Sequence, residues 1–292
     1  MKKFTKIILL TSLFSFIIGL IIILCSLSGG GFSEIMSLSK QKLMEIPITE
    51  DIAFGLEFDN GDCSVGFFPK DKSSGNIVVG SGEKNKVESD IDIKAVNIEI
   101  GYGDVEIRPS EDSYIYYSVE GNFCDYKTDV DAEGVFNFKT KDGKIHITDA
   151  GKAVFYIPQN AKINNYTVNM GAGDLEIDDI NVYENANINM GAGEIHIGQL
   201  KANQVCINCA TGDTVLDKVC CEKFKASCSC GDFQAKLEGK YEDYNYDVEA
   251  ALGNIEVGDK SISGMGSIDE DNNSEKNVEI KCALGNIEVE FD

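Results

Sequence analysis

The decapeptide Val168-Asn169-Met170-Gly171-Ala172-Gly173-Asp174-Leu175-Glu176-Ile177 decides the fold, because it recurs along the chain. It returns almost unchanged at 188–197, and with substitutions at 98–107, 207–216, 226–235, 248–257 and 280–289. The second glycine of the motif recurs at intervals of 70, 20, 19, 19, 22 and 32 residues, at Gly103, Gly173, Gly193, Gly212, Gly231, Gly253 and Gly285. A period near 20 residues is typical of stacked repeats. The sequence therefore predicts a β-solenoid rather than a sandwich or a barrel.

Alternation within each copy predicts which side chains point into the stack, because successive side chains of a strand face opposite ways. Aligned copies give four inward columns, and the residues between them are mostly Asn, Asp, Glu, Lys or Gln. The columns are Val168, Ile188, Ile207, Ala226, Val248 and Ile280; Met170, Met190, Cys209, Cys228, Ala250 and Cys282; Leu175, Ile195, Thr214, Phe233, Ile255 and Ile287; and Ile177, Ile197, Leu216, Ala235, Val257 and Val289.

The Gly-x-Gly-Asp element is predicted to be a corner between two strands. Glycine reaches backbone angles that strain other residues, and Asp or Asn stabilises turns through its own side chain. A phosphate-binding loop would place a helix N-terminus after the glycines, whereas a strand pattern follows here.

The irregular intervals predict departures from a uniform stack. We expect the interval of 70 residues to hold about three coils of uneven length, and the interval of 32 to hold one coil plus an acidic loop at 267–274. No long amphipathic helix pattern occurs beyond residue 50, so the fold class is all-β: a single-stranded β-solenoid of roughly 20-residue coils, behind one N-terminal transmembrane helix.

The N-terminal region is predicted to be a membrane anchor. Residues 1–6 carry three lysines, and 7–27 form a 21-residue apolar run, which at about 1.5 Å per residue spans a hydrocarbon core of about 30 Å. A cleaved signal peptide is the alternative, but its apolar region is normally about 7–15 residues long. The lysines predict a cytoplasmic tail at 1–6, a single span at 7–27 and an extracytoplasmic remainder.

Residues 28–90 are predicted to be a juxtamembrane helix followed by a linker or a ragged cap. Apolar residues within 34–48 follow roughly helical spacing, and Pro47 would end that helix. The β-solenoid domain is then predicted over residues 91–292.

The chain is strongly acidic, with a net charge of −23, and −26 counting only the residues after the predicted span. Such a field repels nucleic acid and other polyanions, so no nucleic-acid partner is expected. Solubility on a crowded surface is the simpler explanation of the charge, and cation binding is the more specific alternative.

Four corner acids are weak candidates for a cation site: Asp174, Glu194, Asp213 and Asp232. On consecutive coils they would lie near 5 Å apart, where like charges repel and a cation relieves the repulsion. Solvated turns with splayed carboxylates are the simpler interpretation. Residues 129–134 also resemble the start of a calcium loop, but Thr140 stands where a bidentate Glu is needed. No cofactor is predicted.

Nine cysteines follow the predicted span, an odd number that cannot all pair within one chain. Cys209, Cys228 and Cys282 fall in an inward column, Cys221 aligns with inward positions, and Cys206 and Cys220 are expected to be more exposed. Buried thiols are favoured over disulfides, of which Cys209–Cys228 is conceivable, and over a metal site.

The sequence pattern does not predict a cluster of catalytic side chains. His146 and His196 alternate with apolar residues and are expected to face solvent, without a nucleophile beside them. The chain has one arginine, Arg108, and no tryptophan. No enzyme activity is predicted.

The run Tyr156-Ile157-Pro158-Gln159-Asn160-Ala161-Lys162, followed by Gly-Ala-Gly-Asp-Leu-Glu-Ile rungs, resembles the bacterial "putative adhesin" family. The closing segments 251–257 and 283–289 are similar to it too. The resemblance covers roughly residues 91–292 and implies a surface or membrane-anchored β-solenoid, without implying any catalytic or binding residues.

Three functions follow as hypotheses. The first is a non-enzymatic surface interaction, adhesion or structural module, displayed by the anchor to a surface or envelope protein or a glycan, since solenoids offer long flat faces. The second is an accessory component of envelope sensing or stress response that acts through a partner. The third is a carbohydrate-active β-helix enzyme, which the single arginine and missing tryptophan disfavour.

Overall fold

A computed structural model describes residues 45–47, 52–59, 62–69, 77–140 and 151–292 of the 292-residue chain. The predicted cytoplasmic tail at 1–6, the predicted span at 7–27 and His146 lie outside the described residues. Within the described part of the chain, no helix is long and apolar enough to cross a bilayer.

The first described strands form a small antiparallel sheet, in the order β1 (Glu45–Pro47), β2 (Ile52–Asp59) and β3 (Asp62–Pro69). Here the structure differs from the sequence interpretation, which placed the end of a helix at 45–47 and a linker or a ragged cap beyond it. The two residues between β2 and β3 are Asn60 and Gly61, a strong signal for a two-residue hairpin.

The remaining strands build the stack. They are β4 (Ile77–Ser81), β5 (Asn85–Lys86), β6 (Ala95–Tyr102), β7 (Asp104–Pro109), β8 (Tyr116–Cys124), β9 (Tyr126–Val130), β10 (Val135–Thr140), β11 (Lys152–Ile157), β12 (Asn165–Ala172), β13 (Leu175–Asn181), β14 (Asn185–Ala192), β15 (Ile195–Lys201), β16 (Gln204–Thr211), β17 (Thr214–Cys220), β18 (Lys223–Cys230), β19 (Phe233–Leu237), β20 (Tyr244–Val257), β21 (Lys260–Glu270), β22 (Lys276–Leu284) and β23 (Ile287–Phe291). A short 3-10 helix, Tyr241–Asp243, precedes β20.

Each regular coil has two arms joined by the glycine corner. In the coil of β12 and β13, the first arm pairs in parallel with β6 and β14, and the second arm with β7 and β15. The chain then returns through a short turn at 182–184 to begin the next coil. The stack therefore consists of two parallel ladders, one per arm, with the core between them.

Coil order along the stack departs from chain order at both ends. The coil β10–β11 lies outside β6–β7, and the last coil, β22–β23, is inserted between β18–β19 and β20. Both ends contain a reversed layer, because β8 and β9 run antiparallel to β11 and β10, and β21 runs antiparallel to β20. At the first end β4 and β5 pair with the other edge of β8. A uniform period could not reveal this rearrangement.

The irregular intervals contain reversed layers that the repeat did not predict. In chain order, the reversed layer β8–β9 and the parallel coil β10–β11 lie between β6–β7 and β12–β13, so the 70-residue interval spans three steps, as expected, but one of its layers is antiparallel. The predicted acidic loop at 267–274 begins inside the strand β21. Antiparallel layers change the strand direction, so they do not repeat the corner motif that the sequence comparison follows.

The four predicted inward columns are confirmed, since every one of their members is buried. Alignment of the short decapeptide missed two further columns that lie beyond its ends. They are Val96, Tyr166, Ala186, Val205, Phe224, Tyr246 and Val278 at the start of the first arm, and Ile180, Leu200, Val219 and Leu237 at the end of the second. One continuous hydrophobic core thus runs through the stack.

Candidate functional site

The corner glycines are required by both conformation and space. All seven have a positive φ, for example 137° at Gly193, which favours glycine. A Cβ on Gly193 would also collide with the carbonyl oxygen of Gly173 in the neighbouring coil, and the same contact recurs from Gly173 through Gly285. The Gly193 N–H donates to the carbonyl of Thr211 one coil further on, at 3.0 Å. The corners therefore form a tightly packed backbone ladder without room for a ligand.

The corner carboxylates belong to the same ladder. The backbone N–H of Glu194 donates to Asp174 Oδ1 at 3.1 Å, and that of Asp232 donates to Asp213 Oδ1 at 2.8 Å. The Asn286 N–H donates in turn to Asp232 Oδ1 at 2.8 Å. Each of these carboxylates caps the corner of the neighbouring coil, so the acidic column has a structural role. The interpretation of these residues as solvated turns did not include that role.

A cation role for these acids finds no cluster to support it. Within the described ranges, no group of three or more His, Cys, Asp or Glu side chains is arranged to hold a metal ion. The segment that resembles a calcium loop is the turn between β9 and β10, where Asp131 Oδ1 accepts the N–H of Glu133 and of Val135 at 3.1 and 2.9 Å. Thr140 is buried and accepts the Gly101 N–H at 3.0 Å.

The inward cysteines act as small core residues. Cys209, Cys228 and Cys282 are buried and stack in register on β16, β18 and β22. Their thiols point at corner carbonyls, with Cys228 Sγ 3.5 Å from the Gly231 oxygen. Burial raises the pKa of Cys209, and burial raises that of Cys221 to about 12. A hydrogen bond to Cys282 and burial both raise the pKa of Cys228, whereas the same hydrogen bond lowers that of Cys282. The thiols of Cys209, Cys221 and Cys228 therefore stay protonated and unreactive.

The conceivable Cys209–Cys228 disulfide does not occur, because both residues are free thiols. Cys206 and Cys220 are half-exposed and Cys230 is exposed, as alternation predicts for the first two. Cys63 and Cys124 carry no side-chain description.

His196 lies on the outer side of β15, as predicted. Its side chain is 52% exposed and its Nε2 lies 3.1 Å from Asp217 Oδ2. The pair lies on the outer strand surface, where Asp217 also lines a cavity of about 200 Å³ together with Gln234 and Glu288.

The outer side of three consecutive first arms, β12, β14 and β16, is an uncharged surface, which we call the amide face. On β12, β14 and β16 all nine outward side chains are neutral and half-buried or exposed. They are Asn165, Thr167, Asn169, Asn185, Asn187, Asn189, Gln204, Cys206 and Asn208. In a chain of net charge −23, nine adjacent neutral polar positions are a local exception.

Hydrogen bonds between coils fix the amide groups. Asn189 Nδ2 donates to Asn169 Oδ1 and Asn208 Nδ2 donates to Asn189 Oδ1, each at 2.8 Å, and Ser227 Oγ donates to Asn208 Oδ1 at 2.7 Å. A second pair joins Asn185 Nδ2 to Asn165 Oδ1 at 2.8 Å. Each amide has two donor hydrogens and two acceptor lone pairs, so the ladder leaves hydrogen-bonding capacity directed outward. The sequence analysis missed this ladder, although Asn recurs at one offset in three copies.

The outer side of the second arms of the same coils, the charged face, is different. Its strands β13, β15 and β17 carry outward Glu176, Asp178, Lys201, Asp217 and Lys218. Burial, with a contribution from Asp178, raises the pKa of Asp179, whose Oδ2 accepts from Gln159 Nε2 at 2.6 Å. The two faces of one stack therefore differ in charge while sharing one core.

A cavity with a volume of about 930 Å³ opens at the β20–β21 end. Tyr241 lines it, with its ring stacked on Tyr246 at 4.7 Å between centroids and its hydroxyl donating to Glu270 at 2.8 Å. Seven carboxylates and two lysines share the lining with Tyr241 and Phe291: Glu242, Glu256, Asp259, Glu270, Glu288, Glu290, Asp292, Lys240 and Lys260.

Comparison with known proteins agrees with the fold. The sequence model of the family described as Toastrack DUF4097 matches residues 35–290, which confirms the resemblance predicted from the rungs and extends it to residues predicted as a linker. No curated protein matches the chain.

Eleven solved structures match. A "putative cell adhesion protein" from Clostridium sporogenes is 14% identical, with 73% of this chain and 100% of that one covered and a TM-score of 0.42. A "putative adhesin" from Bacteroides fragilis is 12% identical, with 74% and 98% covered and a TM-score of 0.39. A "putative lipid binding protein" from Parabacteroides distasonis is 12% identical, with 74% and 99% covered and a TM-score of 0.25.

Proposed function

This chain belongs to the Toastrack DUF4097 family, and from that premise we propose that it is a non-enzymatic interaction module at the cell surface. In this proposal residues 7–27 hold it in the membrane and the amide face is its contact surface. The partner is an extended, uncharged polar polymer, of which a neutral surface glycan is the chemical type.

The amide face is the observation that carries the proposal. Its Asn169, Asn189 and Asn208 side chains are held by one another at 2.8 Å, so little side-chain entropy remains to be lost on binding. The rows repeat at the coil spacing of about 4.8 Å. A regular lattice of neutral donors and acceptors suits a ligand that repeats along its own length and displays hydroxyl or amide groups.

Electrostatics support a neutral partner on this face. The surrounding molecule is strongly acidic, so an anionic polymer would be repelled. A cationic partner would instead be drawn to the charged face, where Glu176, Asp178 and Asp217 are exposed.

The corner ladder supports a role without catalysis. Asp174, Asp213 and Asp232 accept backbone N–H groups, which commits them to the fold, and His196 stands with Asp217 on the outer strand surface. General acid–base chemistry needs groups that converge on one reacting atom, and neither the corner acids nor His196 are placed in that way.

Site-specific photo-crosslinking in living cells tests the proposal. A crosslinking amino acid replaces Asn187 on the amide face of the full-length protein, and Glu176 on the charged face serves as the matched control. We expect the Asn187 position to capture surface glycan and the Glu176 position to capture much less. Equal capture from both faces would contradict the assignment of the contact surface.

The identity of the captured material separates the hypotheses. A sensor kinase or an envelope-stress protein crosslinked at Asn187 would favour the accessory sensing function over surface interaction. As a second measurement, Asn187→Asp places a charge on the amide face, and we expect it to weaken retention on a neutral surface polysaccharide, whereas Glu176→Gln leaves retention unchanged.

A further inference from the structure

The terminal strand β21 leaves one edge of the stack unpaired. It pairs with β20 along 260–270, and in the described part of the chain no other strand pairs with it. Backbone N–H and C=O groups along such an edge are ready to accept a further strand. Proteins usually protect edges with charged residues or proline, so the composition of β21 is informative.

The centre of β21 has no such protection. Residues 261–268, Ser-Ile-Ser-Gly-Met-Gly-Ser-Ile, contain neither charge nor proline. The reversed layer at the other end of the stack differs, because β9 places exposed Lys127 and Asp129 on its five residues and β8 is covered by β4 and β5. Met265 is 79% exposed and Leu252, on the adjacent strand, is 60% exposed.

The sequence of this edge is a palindrome about Met265. Residues 262–268 read Ile-Ser-Gly-Met-Gly-Ser-Ile in both directions. Two copies paired antiparallel with Met265 opposite Met265 would place Ile262 opposite Ile268 of the second copy. Lys260 and Glu270 form an ion pair within one copy. The same register places each of them opposite its counterpart in the second copy, so charges of opposite sign lie next to one another at both ends.

The bend of β21 permits this pairing. Its first half, around Ser261–Gly264, pairs with the second arm of β20, and its second half, from Gly266 to Glu270, pairs with the first arm. A two-fold rotation through the corner at Met265 exchanges the two halves, which is the symmetry of an isologous dimer. Two stacks would then meet end to end.

The core side chains also match under this rotation. Ile268 is 6% exposed and Ile262 is half-buried against the core. In the paired arrangement each isoleucine covers the other in the second copy, so the hydrophobic core continues across the interface. Burial of apolar surface is the main favourable contribution to such association.

We propose that this protein forms an end-to-end homodimer through antiparallel pairing of β21 with β21 of a second copy, centred on Met265. The inference is independent of the amide face, because the edge lies on the end layer of the stack and not on the outward side of β12, β14 or β16.

A charge-reversal experiment on the full-length protein in mild detergent tests the register. Ser263 and Ser267 are exposed and would face one another across the interface. We expect wild type to show a dimer mass by light scattering, and Ser263→Lys with Ser267→Lys to be monomeric because two pairs of like charges meet. The matching double glutamate variant should be monomeric alone and restore the dimer mass when mixed with the double lysine variant.

A crosslinking measurement then fixes the centre of the pairing. Met265→Cys should form a disulfide-linked dimer about tenfold faster than Ser263→Cys. In the proposed register Ser263 of one copy lies four residues along the strand from Ser263 of the second copy, which is beyond the limit of about 7 Å between the Cα atoms of a disulfide. Glu176→Lys serves as a charge control that keeps the dimer. A monomer mass for wild type, a dimer that survives in the double lysine variant, or equal rates for the two cysteine variants would overturn the proposal.

Discussion

The corner at Gly193 and the corner at Gly264 show how position in the stack changes what a residue must satisfy. Both glycines have a positive φ, 137° and 92°. At Gly193 a Cβ meets the carbonyl oxygen of Gly173 in the preceding coil, whereas at Gly264 nothing lies within 4 Å of it. Within one copy, interior corners are therefore constrained by conformation and by contact with a neighbouring coil, and the terminal corner by conformation alone.

The largest expected effect comes from adding one methyl group to each corner. Gly193→Ala should lower the free energy of unfolding by more than about 4 kcal/mol, because the strained φ and the backbone collision add. Gly264→Ala should lower it by about 1 kcal/mol, the cost of φ alone. Chemical denaturation of both variants measures the difference, and equal losses would remove the distinction between the two corners.

The second prediction contrasts burial in the interior with burial at the end. Ile195→Asp places a charge without a partner in the core and should lower the free energy of unfolding by about 3 to 5 kcal/mol. Ile262→Asp on the half-buried terminal layer should cost clearly less. Glu194→Lys, on the outside of the same interior coil, is the control, and we expect a change within about 0.5 kcal/mol.

How much the sequence could predict is visible in these residues. Alternation identified Ile195 as inward and Glu194 as outward, because both follow from the period of a strand. The swapped coils and the reversed layer at β21 could not follow from that pattern, since alternation records which face a residue occupies and says nothing about its neighbouring coil. The amide ladder was predictable in principle, because Asn169, Asn189 and Asn208 share one offset.

The corner acids show a different limit. Their column was predicted correctly, but their hydrogen bonds to the next corner depend on the short distance between coils, which the sequence does not specify. The hairpin signal Asn60-Gly61, in contrast, is present in the sequence. The sequence analysis missed it because the surrounding residues were interpreted as a linker or a ragged cap.

The third prediction uses the raised pKa of an interior thiol. Because Cys221 titrates near 12 in the folded chain and near 9 when unfolded, its contribution to stability is fully present below pH 9 and is lost as the pH rises toward 12. The loss is about 1.4 kcal/mol per pH unit in that window. Cys221→Val introduces the residue type that Val182 has at the aligned position. It should remove this contribution to the slope of the free energy of unfolding against pH.

The control for this prediction is the exposed Cys230. Unfolding free energies of Cys230→Ser should follow wild type from pH 8 to pH 11. Alkylation of the native protein should modify Cys230 first and Cys221 only after unfolding, and rapid labelling of Cys221 in the native state would contradict its burial.

The smallest expected effect concerns the corner caps. Asp213→Ala should lower the free energy of unfolding by about 1 kcal/mol through loss of the bond from the Asp232 N–H. Asp213→Asn keeps an acceptor oxygen, just as Asn286 Oδ1 accepts the N–H of Asn254 in the neighbouring coil. This substitution should therefore lower the free energy of unfolding by less.

Asn254 supplies the terminal comparison, because it occupies the corner of β20, beyond which only the reversed layer lies. Asn254→Ala should therefore cost less than Asp213→Ala. If a bound cation held the column together instead, a chelator would lower the melting temperature by several degrees, and we expect no such shift.

The inserted position of the last coil has a consequence for the order of assembly. A stack whose neighbours follow chain order can grow layer by layer as the chain leaves the ribosome or crosses a membrane. Here β20 and β21 are made before β22 and β23, yet they pair with β18 and β19 only through them. In the finished stack the β20–β21 hairpin has no parallel coil to pair with until residues 276–291 have been made, so this end of the stack closes only after its last coil has formed.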